Sequence, residues 1–183
     1  MACAARAAGA QAREGGVDRR EAIQGVRDAV AAASPRRARV LFLCTGNSCR
    51  SQMAEGWGRA LAGDLVVAHS AGTRPKRLDP RGVGVMAEAD VDISGHTSKR
   101  PGEIGGVFEV VVTVCDGARE ACPVVPARRV VHAGFDDPPR LAESARSEDE
   151  SLACARRVRD EIREFVESCL GAPAPGTTQE VRR

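Results

Sequence analysis

The stretch Arg39-Val-Leu-Phe-Leu-Cys44-Thr-Gly-Asn-Ser-Cys-Arg50-Ser51 passes through three structural states in thirteen residues. After Arg39 its next five residues are continuously apolar, with β-branched and aromatic members, which predicts a buried strand over residues 39–44. Thr45 to Ser48 is polar and contains Gly46, so it reads as a loop. From about Cys49 to Leu61 the apolar residues Met53, Trp57 and Leu61 recur every fourth position, the period of a helix packed on one face. A strand entering a helix through a short loop opens a βα unit, and parallel sheets place their ligands at the carboxyl ends of strands.

The pattern repeats outward from this stretch. Strands are predicted at residues 65–69, 108–114 and 129–132. Helices are predicted at 80–89, with Val83 and Met86 facing inward, at a single turn over 101–104, and at 151–170, with Leu152, Val158, Ile162 and Phe165 or Val166 on one face. Alternating strands and helices imply an α/β fold, a four-stranded parallel sheet flanked by helices on both faces. Cys44, Cys115 and the loop after His132 then share one edge. Asp18 with Glu21 resembles a capping box, and Ile23, Val26 and Val30 extend a helix to about Ala33, which Ser34-Pro35 ends. Nothing in residues 1–38 carries chemistry, so this extension, disordered to partly helical, is expected to be dispensable. Residues 39–171 are expected to form the folded domain. Residues 139–150 read as a solvated insertion and 172–183 as a disordered tail.

Composition narrows the function classes. The chain has 183 residues, 28% charged and 43% hydrophobic, as expected of one soluble domain. Its net charge of +2 belongs to the extension: residues 1–39 carry eight Arg against four acids, leaving nineteen basic and twenty-one acidic groups in residues 40–183. A phosphate-backbone footprint is therefore not expected, and 3% aromatic content without Tyr argues against base stacking. No apolar run reaches the roughly 18 residues that span a bilayer, so no membrane association is expected. Charged residues break the N-terminus too often for a secretory signal, and Glu14, Asp18, Glu21 and Asp28 are too many acids for a transit peptide. A cytoplasmic location is expected. Seven Cys is an odd number for a disulfide framework, and neither the CX4C pair at 44/49 nor the CX6C pair at 115/122 has zinc-site spacing. His69, His96 and His132 read as structural, so no metal site is expected.

Cys44 to Arg50 is a CX5R loop between a strand and a helix. Five intervening residues can wrap their backbone N–H groups into a semicircle, with the positive end of the following helix aimed at its centre. Arg50 offers a planar fork for a tetrahedral oxyanion, and Ser51 is placed to hydrogen-bond the Cys44 sulfur. A thiol of pKa about 8.5 is only about 3% thiolate at neutral pH, whereas one lowered to about 6 is about 90% thiolate. Cys44 is therefore expected to be a lowered-pKa nucleophile. The competing reading is a buried structural cysteine with a chance arginine; the strand before, the Gly-Asn turn within and the helix after favour the oxyanion cradle. Its substrate-binding set is Thr45, Gly46, Asn47, Ser48, Cys49, Arg50 and Ser51, in which Cys49 has no required chemical role.

The segments CTGNSCRSQMAEGW (44–57), SAG (70–72), DISGHTS (92–98), VTVCDGAREACP (112–123), GFDDP (134–138) and RRVRDEI (156–162) resemble the low-molecular-weight tyrosine phosphatase superfamily. Within it they are most similar to the thioredoxin-coupled arsenate reductases. Phosphate and arsenate share shape and charge, so the cradle does not separate hydrolysis from reduction; the other cysteines do, since reducing As(V) to As(III) takes two thiols. The resemblance implies that Cys44 attacks arsenate, Cys115 forms a Cys44–Cys115 disulfide with release of arsenite, and Cys122 forms a Cys115–Cys122 disulfide on a displaced segment. Thioredoxin or another thiol carrier, such as a mycoredoxin, would reduce that disulfide. Asp137, before Pro138, matches the general acid.

Gln52 stands where phosphatases usually have Pro, and no Tyr follows Asp137-Pro138. A phosphatase and a thiol-based metalloid sensor are the alternatives. No bound cofactor and a monomer are expected. Some reductases hold potassium beside the loop, with ligands that would map to Asn47, Glu55, Ser70 and the position of Lys99. An ammonium at that last position puts the potassium site in doubt. Cys3, Cys154 and Cys169 are expected to be spectators.

Overall fold

The computed structural model describes residues 19–121 and 124–171. The expected disorder of residues 1–17 and 172–183 and the placements of Cys3 and Cys122 lie outside the described residues. Four strands, β1 (Ala38–Cys44), β2 (Val66–Gly72), β3 (Val110–Thr113) and β4 (Val130–His132), form one parallel sheet in the order β2-β1-β3-β4. Val40 to Leu43 are all at most 1% exposed, so both faces of β1 are covered, which explains its unbroken apolar run. β4 lies at an edge and leaves Val130 exposed.

The helices are α1 (Arg19–Ala33), α2 (Arg50–Ala62), α3 (Pro80–Ala87), α4 (Pro101–Ile104), α5 (Asp116–Glu120), α6 (Pro138–Glu143) and α7 (Glu148–Leu170). Helix α7 packs on α1, α2, α3 and α6, and buries Ala155, Val158, Ile162, Phe165 and Val166 at helical spacing. Among the described residues no helix is long and apolar enough to cross a membrane.

Three boundaries differ from expectation for physical reasons. β2 runs on through Ser70-Ala-Gly72 because it pairs with β1 as far as Cys44↔Gly72. Residues 139–150, read as a solvated insertion, are largely exposed but carry regular structure: α6 occupies their first part, and α7 begins at Glu148. The Ser147 hydroxyl accepts from Glu150 N–H, and Glu148, Asp149 and Glu150 sit where a helix dipole favours acids. The segment after Cys115, for which no element is predicted, forms α5.

A further difference concerns the extension. Ala22, Val26, Ala29 and Ala33 of α1 are buried in the same apolar core as β1 and α7. Arg27 Nε donates to Ser168 O at 2.8 Å, tying α1 to the last turn of α7. The core therefore crosses the boundary expected at residue 38, and α1 is not dispensable on structural grounds. Val26→Ala removes two buried methyl groups and is expected to lower unfolding stability by about 2 kcal/mol, and deletion of residues 1–38 by more. Chemical denaturation checks both; unchanged midpoints would show that α1 contributes nothing to the core.

Candidate active site

The sheet order places β2 and β3 on opposite sides of β1, so a crevice opens at the carboxyl ends of β1 and β3. Leu43 is in register with Thr113, which puts Cys44, at the end of β1, across one strand spacing of about 4.8 Å from the chain leading to Cys115. Both thiols are free and buried. The Thr45 hydroxyl lies 3.4 Å from Cys115 Sγ and so joins the second thiol to the loop that carries the first.

Loop 45–49 is held from outside through its carbonyls. Thr73, Arg74, Lys76 and Asp79 donate their N–H groups to the carbonyls of Cys44, Thr45, Gly46 and Ser48 at 2.8–3.1 Å. The carbonyl of Asn47 accepts from Gln52 Nε2 at 2.9 Å and Ser98 Oγ at 2.6 Å. With these acceptors engaged by the surrounding strap, the loop's amides are the groups left for an oxyanion. Asn47 N–H donates to Cys44 Sγ at 3.0 Å. The chain must turn sharply there, and Asn47 adopts φ 46°, a left-handed conformation that Asn tolerates better than most residues. Gly72 is required for close approach: a Cβ on it would stand 2.8 Å from both Asn47 N and Thr45 O.

Arg50 opens α2 and faces the loop after β4. Its Nη2 is 3.1 Å from Asp137 Oδ1, and its Nη1 donates to Phe135 O at 2.9 Å. Asp137 is the N-cap of α6, with its side chain 39% exposed, whereas the neighbouring Asp136 pairs with Arg157 at 3.0 Å. Cys44, Arg50, Asp137, Cys115 and the loop therefore converge on one edge of the sheet; Cys122 lies outside the described residues.

The Cys44 thiol differs from expectation. Burial pushes it above its ordinary value, while hydrogen bonds from Ser51 and from the Asn47 amide pull it down by less. The Ser51 hydroxyl lies 2.9 Å from the sulfur. Arg50, expected to lower the value, has its fork turned to Asp137 and the Phe135 carbonyl. Burial also raises Cys49, with the Asp79 carboxylate acting in the same direction, and pushes Cys169 up to about 12. Cys154, expected to be a spectator, is disulfide-bonded.

The residues matched to a potassium site do meet. Asn47 Nδ2 donates to Ser70 Oγ at 2.8 Å, Ser70 Oγ donates to Glu55, and Lys99 N–H donates to Asn47 Oδ1 at 2.8 Å. The buried Glu55 carboxylate is already matched by Lys99 Nζ at 3.8 Å and by an ion pair with Arg59. Two side-chain cations on one carboxylate do not fit a further cation there. Gln52, noted in the sequence only as a departure from the phosphatases, is a fully buried strut. It donates to Asn47 O and to Thr97 O, and its Oε1 lies 2.9 Å from His96 Nδ1. Sequence reasoning also missed the 73–79 strap, whose backbone bonds leave no compositional signal.

A thiol with a raised pKa reacts faster as pH rises toward that value. Alkylation mapped to Cys44 is expected to accelerate about tenfold per pH unit from about pH 6 to 8. Ser51→Ala removes a hydrogen bond that favours the thiolate, so it should slow alkylation at every pH in that range. A flat profile would mean that Cys44 is already ionised at neutral pH.

Residues 39–168 match the family described as low molecular weight phosphotyrosine protein phosphatase. An arsenate reductase of Halalkalibacterium halodurans is 46% identical over 125 residues, covering 67% of this chain and 88% of its own. That of Bacillus subtilis is 44% identical over 135 residues, covering 70% and 95%. Among solved structures, an arsenate reductase in its oxidized state superposes with a TM-score of 0.59 at 29% identity, covering 73% of this chain and 96% of that one. The chain belongs to the low molecular weight phosphotyrosine protein phosphatase family and, within it, groups with the arsenate reductases.

Proposed function

We infer that the protein reduces arsenate to arsenite through a thiol relay and so serves arsenic detoxification. The observation that carries the reading is the second buried thiol: Cys115 is held by Thr45 at the loop whose base is Cys44. Hydrolysis of a phosphate ester has no use for it, whereas a two-electron reduction requires it.

The chemistry balances as follows. Cys44 thiolate attacks As(V), and one arsenic oxygen leaves as water, taking its proton from Asp137, while the loop amides and Arg50 hold the remaining oxygens. Cys115 thiolate then attacks Cys44 Sγ. The electron pair of the S–As bond passes to arsenic, which departs as arsenite and leaves a Cys44–Cys115 disulfide. Cys122 attacks Cys115 Sγ, frees Cys44 as thiolate and leaves a Cys115–Cys122 disulfide. A dithiol carrier, thioredoxin or a mycoredoxin, supplies two electrons to reopen it. In the Cys44–Arg50 pair the arginine serves as an oxyanion fork already aligned by Asp137 and the Phe135 carbonyl.

NADPH oxidation coupled through thioredoxin reductase and thioredoxin is expected to depend on arsenate. Cys115→Ser and Cys122→Ser should each abolish turnover. Asp137→Asn should slow formation of the arsenic adduct by roughly 10²–10⁴-fold while changing oxyanion affinity little. Hydrolysis of an aryl phosphate without arsenate reduction would establish the phosphatase reading instead. Arsenite binding without turnover would establish a sensor.

A further inference from the structure

The loop carrying Asp137 leaves the sheet at an edge strand, where chain is ordinarily mobile, yet a general acid must hold its position against the reacting oxygen. Phe135 N–H reaches Val114 O at 3.2 Å, and Arg50 takes Phe135 O. Before it, Ala133 N–H donates to Thr113 O at 2.9 Å, and the carbonyl of Gly134 is taken by Arg19, the first residue of α1. Arg19 Nη2 donates to Gly134 O at 2.7 Å, and its guanidinium lies over the Phe135 ring, 4.5 Å from the centroid. The same nitrogen stands 3.7 Å from Glu161 Oε2. Glu161 in turn accepts from Arg157 Nη1 at 2.5 Å, and Arg157 Nη2 holds Asp136 Oδ2 at 3.0 Å.

Gly134, Phe135 and Asp136 are thus each gripped in succession, by hydrogen bond, ring face and ion pair, through one network that Arg19 enters from outside the catalytic segment. Two arginines hold successive carbonyls of the loop: Arg19 takes that of Gly134 and Arg50 that of Phe135. Arg19 precedes residues 39–168, the segment that matches the family.

We propose that Arg19 is a positioning residue for arsenate reduction, with the N-terminal helix bracing the acid loop so that the Asp137 carboxyl stays beside Arg50. This rests on the reading of Asp137 as the acid. Arg19 touches neither the substrate loop nor the reacting thiols in the described contacts, so its effect passes through the geometry of residues 134–137.

The test uses the full chain in single turnover, following arsenate-dependent loss of the Cys44 thiol, for Arg19→Ala, Arg19→Lys, Asp137→Asn and the Arg19→Ala/Asp137→Asn double variant, with unfolding midpoints measured alongside. Arg19→Ala is expected to slow adduct formation roughly fivefold to tenfold while arsenate affinity stays within about twofold, because a displaced acid costs rate rather than binding. Arg19→Lys, which keeps a donor for the Gly134 carbonyl, should recover part of the rate. In the Asp137→Asn background Arg19→Ala should have no further effect, since the group it positions is gone. Equal losses in both backgrounds, weakened affinity at an unchanged rate, or a loss explained by the unfolded fraction would each overturn the brace. So would a normal rate in Arg19→Ala beside a slow Asp137→Asn, which leaves the acid reading standing. A normal rate in Asp137→Asn would remove the acid reading and the brace with it.

Discussion

The buried carboxamide of Asn47 is the constraint on which the site depends. The residue is fully enclosed, and its side chain uses two donors, to Ser51 and Ser70, and an acceptor for the Lys99 amide. Leaving any one of these groups unpaired would cost about 1–3 kcal/mol, so the arrangement is satisfied together or not at all. That network ties α2, β2 and the 96–100 segment to a single left-handed turn. The turn in turn sets where the loop's amides lie and holds Asn47 N–H on the Cys44 sulfur. Glycine would permit the turn but would provide none of the ties. Aspartate would lose the donors and add a charge beside Glu55.

Electrostatics here follow aim more than net charge. The cations around the loop are committed: Arg50 to Asp137, and Lys99 and Arg59 to Glu55. Desolvation is left as the leading influence on Cys44, and it favours the neutral thiol. The sheet supplies the rest of the arrangement. Because β1 and β3 are neighbours although β2 intervenes in sequence, two cysteines seventy-one positions apart reach the same crevice without any local motif joining them.

The order of strands and helices was legible because β1 and β3 are buried on both faces and so read as unbroken apolar runs, while α2 and α7 carry clear helical spacing. The loop was legible because CX5R with a Gly-Asn turn is a local pattern. What could not be read depends on long-range partners. The acids of 148–150 look solvated until they are seen to open a helix. Gln52 looks like a substitution until its carboxamide is seen bridging the Asn47 carbonyl and His96. The raised Cys44 thiol follows from enclosure and from the direction of one guanidinium, neither of which a string of residues records. Helix α1 was visible by its spacing, but its partner α7 lies at the other end of the chain.

That last separation bears on how the molecule is assembled. Arg27 reaches Ser168 across 141 positions, and Arg19 reaches Gly134 across 115. Contacts of such long range are among the slowest to form, because the chain loses loop entropy before they are rewarded. During synthesis α1 emerges before the sheet with its apolar stripe uncovered, and the helix that covers much of it emerges after all four strands. Closure of the core therefore waits for the C-terminal helix, and a ribosome-bound chain that stops short of α7 holds β1 and its loop without the layer that encloses them.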